Sequence, residues 1–159
     1  MKKKSLDPDF RACSIRGFRQ LYAASPAERR GFILQGVDAA SILDMASLLG
    51  LSVETVSSAL RIAPATARRK ARNQQLLAVD QGERLLGLQR LVGHAQSLVE
   101  RGGDPSHFDA GAWAGKWLTS PQPALGGACP IDYLDTNAGQ EVLSALLECY
   151  VSGAYPAAR

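Results

Sequence analysis

Helix punctuation narrows the folds open to this chain more than any other feature. Ser25-Pro-Ala-Glu28 offers a capping serine, a proline where no amide donor is needed and a glutamate that completes a capping box; with Gly36 as the stop, this predicts a helix over about 26–35. Asp38 opens a second helix, which carries Ile42, Met45, Leu48 and Leu49 inward and ends at Gly50. Ser52 opens a third, through Val53, Val56 and Leu60. Asp80-Gln-Gly-Glu83 begins a long helix bearing Leu85, Leu88, Leu91, Val92, Ala95, Leu98 and Val99, which Gly102-Gly103 ends. Asp104-Pro105 is expected to open a helix running past Phe108 and Trp113 to Leu118, Pro130 a short helical turn, and Thr136 the closing helix. No run alternates apolar and polar residues with β-branched enrichment, so the whole chain reads as all-α.

With 159 residues, 46% of them hydrophobic and 21% charged, the chain can bury a core as one ordinary domain or two small ones packed together. No run approaches the roughly 20 apolar residues of a membrane span. Lys2, Lys3 and Lys4 lead into Ser5-Leu-Asp-Pro8 rather than into an apolar signal core, so a cytoplasmic location without membrane association is expected. Cys13, Cys129 and Cys149 are widely spaced, and His94 and His107 complete no cluster of metal-ligand spacing, so neither a metal nor a cofactor is expected.

The charge is divided along the chain. Residues 1–76 hold 13 Lys and Arg against 6 Asp and Glu, a net +7, whereas residues 77–159 hold 5 against 9, a net −4. A basic half suits nucleic acid, whereas phosphates would repel the acidic half. In the basic half, the break at Arg61-Ile-Ala63 and Pro64 precede Thr66, Arg68, Arg69, Lys70 and Arg72. A helix, a turn of three or four residues and a second helix loaded with cations is how a helix-turn-helix reads in sequence. With about 3.6 residues per turn, Thr66, Arg68, Arg69 and Arg72 fall on one side of that second helix. From there they can reach one groove, so these four and Lys70 are the candidate DNA-binding residues.

In the acidic half Trp113 and Trp117 lie one turn apart, as do Gly111 and Gly115. Trp117 is expected inside, and Trp113 either there or, as a candidate contact, at a partner, since tryptophan serves both cores and binding hot spots. Pro121, Pro123, Gly126 and Gly127 make a stiff bend presenting Leu125. The closing helix carries two apolar stripes, Val142-Leu146-Tyr150 and Leu143-Leu147-Val151, of which one should enter the core. Cys129 and His107 are the only tempting catalytic pair, and their spacing supports no nucleophile-base arrangement, so no enzymatic activity is expected.

The ordered series Trp117-Leu118, Pro121, Leu125-Gly-Gly127, Pro130, Leu134-Asp-Thr136, Gly139, Val142, Leu146 and Gly153-x-Tyr155 resembles the toxin-binding domain of Xre/MbcA/ParS antitoxins, partners of RES-domain toxins. The resemblance covers about residues 79–155. Residues 37–72 are similar to the Xre-like helix-turn-helix of the same antitoxins, with Arg68-Arg69 at its basic signature. Two departures are Gly87, where the family usually has a second arginine after Arg84, and the longer lead Gly102-Gly-Asp-Pro105. The resemblance implies a type II antitoxin that dimerises, blocks an NAD-consuming toxin resembling ADP-ribosyltransferases in fold, and represses its own operon.

The resulting expectation is a basic tail or short helix over 1–24, a helix-turn-helix DNA-binding and dimerisation domain over 25–76, and a toxin-binding domain over 77–159. Its candidate toxin-binding residues are Trp113, Leu125, Tyr150, Gly153, Tyr155 and Arg159, with Tyr155 and Arg159 on a tail long enough to enter a toxin cleft. The expected partners are a cognate RES-domain toxin, operator DNA and a second copy of the chain, in a larger hetero-oligomer with toxin. The competing reading is a stand-alone helix-turn-helix repressor whose C-terminal domain dimerises or senses a ligand.

Overall fold

A computed structural model describes residues 13–152, in which eight α-helices follow one another without a named strand. Gly153, Tyr155 and Arg159 lie outside the described residues. The helices are α1 (Ile15–Ala23), α2 (Pro26–Gln35), α3 (Ala40–Leu49), α4 (Val53–Ala59), α5 (Pro64–Arg72), α6 (Val79–Gly102), α7 (Ala110–Leu118) and α8 (Asn137–Ser152). Single 3-10 turns at Pro123–Leu125 and Pro130–Tyr133 join the last two helices. No single described helix is long and apolar enough to cross a membrane.

Most of the predicted caps are made. The Ser25 side chain accepts from the Glu28 amide, and the Glu28 carboxylate accepts from the Ser25 amide at 2.8 Å. Ser52 accepts from the Thr55 amide at 3.0 Å, and Thr136 from the Gly139 amide at 3.1 Å. Each satisfies an amide that the helix itself leaves unpaired, typically worth about 1 kcal/mol.

Two starts are corrected. The long helix begins at Val79, ahead of Asp80, because the Leu77 amide donates to the Val37 carbonyl (2.8 Å) and holds the chain extended up to that point. The Gln81 side chain then accepts from the Ala78 amide, and Asp80, already inside the first turn, pairs with Arg84 one turn on at 3.0 Å. Likewise Asp104 accepts from the Ser106 amide and makes a turn, not a helix. The tryptophan helix starts at Ala110, capped by Asp109, whose carboxylate accepts from the Ala112 amide at 2.9 Å. Phe108, just before that cap, packs on Trp113 four residues into the helix, with ring centroids 6.0 Å apart. This hydrophobic staple fixes the entry angle of the chain and outweighs the weaker start at Pro105.

One buried apolar cluster runs from Phe18 and Leu21 of α1, through Ile42 and Met45 of α3, to Leu118 of α7 and Leu147 of α8. The spine is α6, which contributes Leu85, Leu88, Leu91, Val92 and Leu98. Burying each such side chain contributes about 2 kcal/mol. Two glycines let backbones approach. A Cβ at Gly93 would lie 2.0 Å from the Phe18 carbonyl oxygen, where α1 crosses α6, and one at Gly115 would lie 1.9 Å from the Leu49 carbonyl oxygen, where α7 meets the end of α3.

Gly87 has a different cause. The side chain of Gln140, 2% exposed, occupies the space a Cβ would take, and its amide donates to the carbonyls of Arg84 and Leu134, both at 3.0 Å. An arginine there would expel a buried group that already has partners for both of its protons.

Candidate functional site

Helices α4 and α5, joined by residues 60–63, form the helix-turn-helix, and α6 holds it in place. The Arg84 Nε donates to the Leu60 carbonyl at 2.8 Å, satisfying the end of α4. Arg61 occupies the turn with φ 54°, and its guanidinium donates twice to Asp135 Oδ2, at 2.8 and 3.0 Å. The turn of the motif is thereby tied to the segment that leads into α8.

Ala67 is fully buried and faces α5 to the core, which turns Arg68, Arg69 and Arg72 outward on one stripe. Arg68 pairs with Glu54 of α4, holding that carboxylate below its ordinary range chiefly through the hydrogen bond. Arg69 reaches the Gln75 side chain at 3.4 Å, and Thr66 is half-buried. Lys70, also half-buried, donates to the Leu76 carbonyl at 3.2 Å, so its charge sits at the C-terminal end of the helix, where the helix dipole favours it.

The second constellation is an apolar groove of 710 Å³ between α6, α7 and α8. Its walls include Leu98, Phe108, Trp113, Trp117 and Tyr150, and Asp104 lies at its edge. Trp117 is 7% exposed while Trp113 is half-buried, and the two rings stack at 5.6 Å with an interplanar angle of 12°. The Tyr150 hydroxyl accepts from Trp117 Nε1 at 3.1 Å and donates to Gln122 Oε1 at 2.8 Å. Both hydrogen-bonding roles of that hydroxyl serve the structure, so its ring is what the groove presents. Leu125 is half-buried and packs against the core. In α8, Leu143 and Leu147 face inward together with Leu146, which leaves Val142 44% exposed.

Sequence reasoning passed over Phe108 as a groove wall, Gln122 as a tether and the Arg61–Asp135 pair. The staple pattern around Asp109 was a usable signal for the first; nothing local signalled the other two.

A buried histidine ties α1 to α8. His94, 3% exposed, hydrogen-bonds through Nε2 to Glu148 at 2.6 Å and stacks on Tyr22 at 4.3 Å. Its Nδ1 is buried and has no partner among the described residues, which assigns the neutral tautomer that donates from Nε2. Burial pushes its pKa below the usual value, against the pull of Glu148, and the hydrogen bond from His94 together with Arg101 lowers that of Glu148. Both folded values lie below their unfolded ones, so both contributions are present at neutral pH and lost in acid, His94 first as pH falls below about 6.5. Unfolding free energy is expected to decline from pH 7 to pH 5, and His94→Gln to flatten that decline; an unchanged slope in the variant would exclude His94 as its source.

Two segments of the chain match known families. Residues 28–90 match the antitoxin Xre-like helix-turn-helix domain, and residues 95–148 match the antitoxin Xre/MbcA/ParS C-terminal toxin-binding domain. Residues 91–94, inside α6, separate the matched segments. A relative from Sphingobium sp. (strain YBL2), named Prs ADP-ribosylating antitoxin, is 42% identical over 138 residues, which cover 87% of this chain and 87% of that protein. With the cationic helix inside the first matched segment and nearly all of the groove inside the second, the chain belongs to the Xre/MbcA/ParS antitoxins, built as a helix-turn-helix domain followed by a toxin-binding domain.

Proposed function

We propose that this antitoxin binds and inhibits a cognate RES-domain toxin that consumes NAD or transfers from it, and that the groove at Trp113 and Tyr150 is part of the surface that holds the toxin. The observation that carries the reading is the groove itself. It is apolar, aromatic-walled and stapled open, and the toxin-binding segment at 95–148 contains every wall residue except Tyr150. Aromatic anchors in a preformed apolar groove are where protein interfaces concentrate affinity. Coexpression with the toxin tests it: growth and NAD level should be restored and a stable complex recovered, and toxicity that persists beside well-folded antitoxin would overturn the reading.

The second activity is repression of its own operon by a homodimer through α5. Arg68, Arg69 and Arg72 form an exposed stripe on the second helix of the motif, and the net negative charge of the adjoining half disfavours a duplex lying across it. Arg68→Ala with Arg69→Ala is expected to weaken operator binding by roughly 10-fold or more and to reduce the salt dependence by about two phosphate contacts. Unchanged affinity and slope would remove both arginines from the DNA interface. The C-terminal tail, with Tyr155 and Arg159, is the third part of the proposal, as the segment that enters the toxin cleft.

A further inference from the structure

We propose that the cleft between α2, α6 and α8 binds the phosphate group of a small phosphorylated molecule, with Arg90 and Arg29 as the groups that hold it. The cleft measures 450 Å³ and is lined by Leu21, Arg29, Ile33, Leu86, Arg90 and Glu141, among others. An adjoining hollow of 340 Å³ shares Arg29, Arg90 and Glu141 as its wall. The two guanidiniums therefore stand at the junction of two open spaces large enough together for a metabolite.

Their state is what calls for an anion. Arg90 is half-buried on α6, yet makes no hydrogen bond or ion pair with any described residue. Burial and then the like charge of Arg29 both disfavour its cationic form, and Glu141, though it attracts Arg90, stands outside ion-pairing reach. Arg29 is held in place because its Nη1 donates to the Ala24 carbonyl at 2.6 Å, which leaves the rest of its fork free to turn to a ligand. Two converging guanidiniums with unspent donors, one of them partly desolvated, form a site that an oxyanion completes through charge-assisted bidentate hydrogen bonds.

The surroundings select a small molecule over nucleic acid. Glu83 and Glu141 also border the cleft and would repel a duplex lying across it, whereas Asn137 and the two carboxylates can accept from hydroxyl groups on a compact ligand body. Leu21, Ile33 and Leu86 supply an apolar floor beneath that body.

Calorimetric titration of the full chain with inorganic pyrophosphate and with glycerol 3-phosphate, against sodium chloride at matched ionic strength, tests the proposal. Saturable binding is expected, weakened at least 10-fold by Arg90→Gln and by Arg29→Gln and retained by the Arg68→Ala, Arg69→Ala double variant. The two glutamine variants guard against a folding defect in either one, and their circular dichroism should match that of the parent. Absence of saturable binding to both probes, binding as tight as the parent's in both glutamine variants, or loss confined to the α5 variant would each overturn it. The last result would assign the anion to the DNA-facing helix.

Discussion

Gly115→Ala is expected to destabilise the protein by about 3 kcal/mol or more, a fall in Tm on the order of 6–12 °C for a chain of this size, or to prevent soluble expression. Helix propensity argues the other way, since alanine favours a helix interior over glycine by about 1 kcal/mol. Geometry decides the sign. A Cβ at position 115 would lie 1.9 Å from the Leu49 carbonyl oxygen and 2.9 Å from its carbon, and backbone cannot rotate out of the way as a side chain can. Relief requires α7 to move off α3, which would open the buried contacts of Ala114 and Leu118 as well. Gly31→Ala is the internal control: it lies in α2 with nothing within 4 Å of an added Cβ, so it should stabilise by about 0.5–1 kcal/mol. Urea unfolding of the two variants reads both signs, and a Gly115→Ala protein as stable as the parent would refute the close packing of α7 on α3.

Trp113→Ala should weaken the toxin complex by about 2–4 kcal/mol, roughly 30- to 1000-fold in Kd, while the antitoxin stays folded. The two effects separate because Trp113 is half-buried and forms a wall of the groove, whereas Trp117 beside it is 7% exposed and anchored by its hydrogen bond to Tyr150. Removing Trp113 deletes one wall, one stacking partner and the target of the Phe108 staple, but leaves Leu118, Leu143 and Leu147 buried. Lys116→Ala, at an exposed position on the same helix, should leave both affinity and stability nearly unchanged. Wild-type affinity in a folded Trp113→Ala variant would place the toxin elsewhere on the molecule.

Legibility followed the range of the interactions. The start at Ser25 and the caps at Ser52 and Thr136 were readable because a cap and the amide it satisfies lie within three residues. The misplaced starts at Asp80 and Asp104 show the limit of that rule. In the first, a backbone bond from Leu77 to Val37 set the boundary; in the second, a better cap and staple lay five residues downstream. The stripe Arg68-Arg69-Arg72 was legible from periodicity. The turning of Lys70 to the Leu76 carbonyl was not, since a helical wheel holds no information on the path of the chain past the helix end.

The sequence by itself determined an all-helical chain, the order of its helices, a cationic helix after a tight turn, and an ordered set of residues resembling one antitoxin family. These are local properties: caps, periodicity and charge act over one or two turns. Only the tertiary structure decided that Trp113 and Phe108 wall a groove, that Arg61 of the turn pairs with Asp135, that Gln140 fills the space at Gly87, and that Arg29 and Arg90 converge on one cleft without an ion-pair partner among the described residues. Periodicity tells which face of a helix is apolar but not which neighbour covers it, and that choice is made by packing side chains and backbones at close density across dozens of residues of chain.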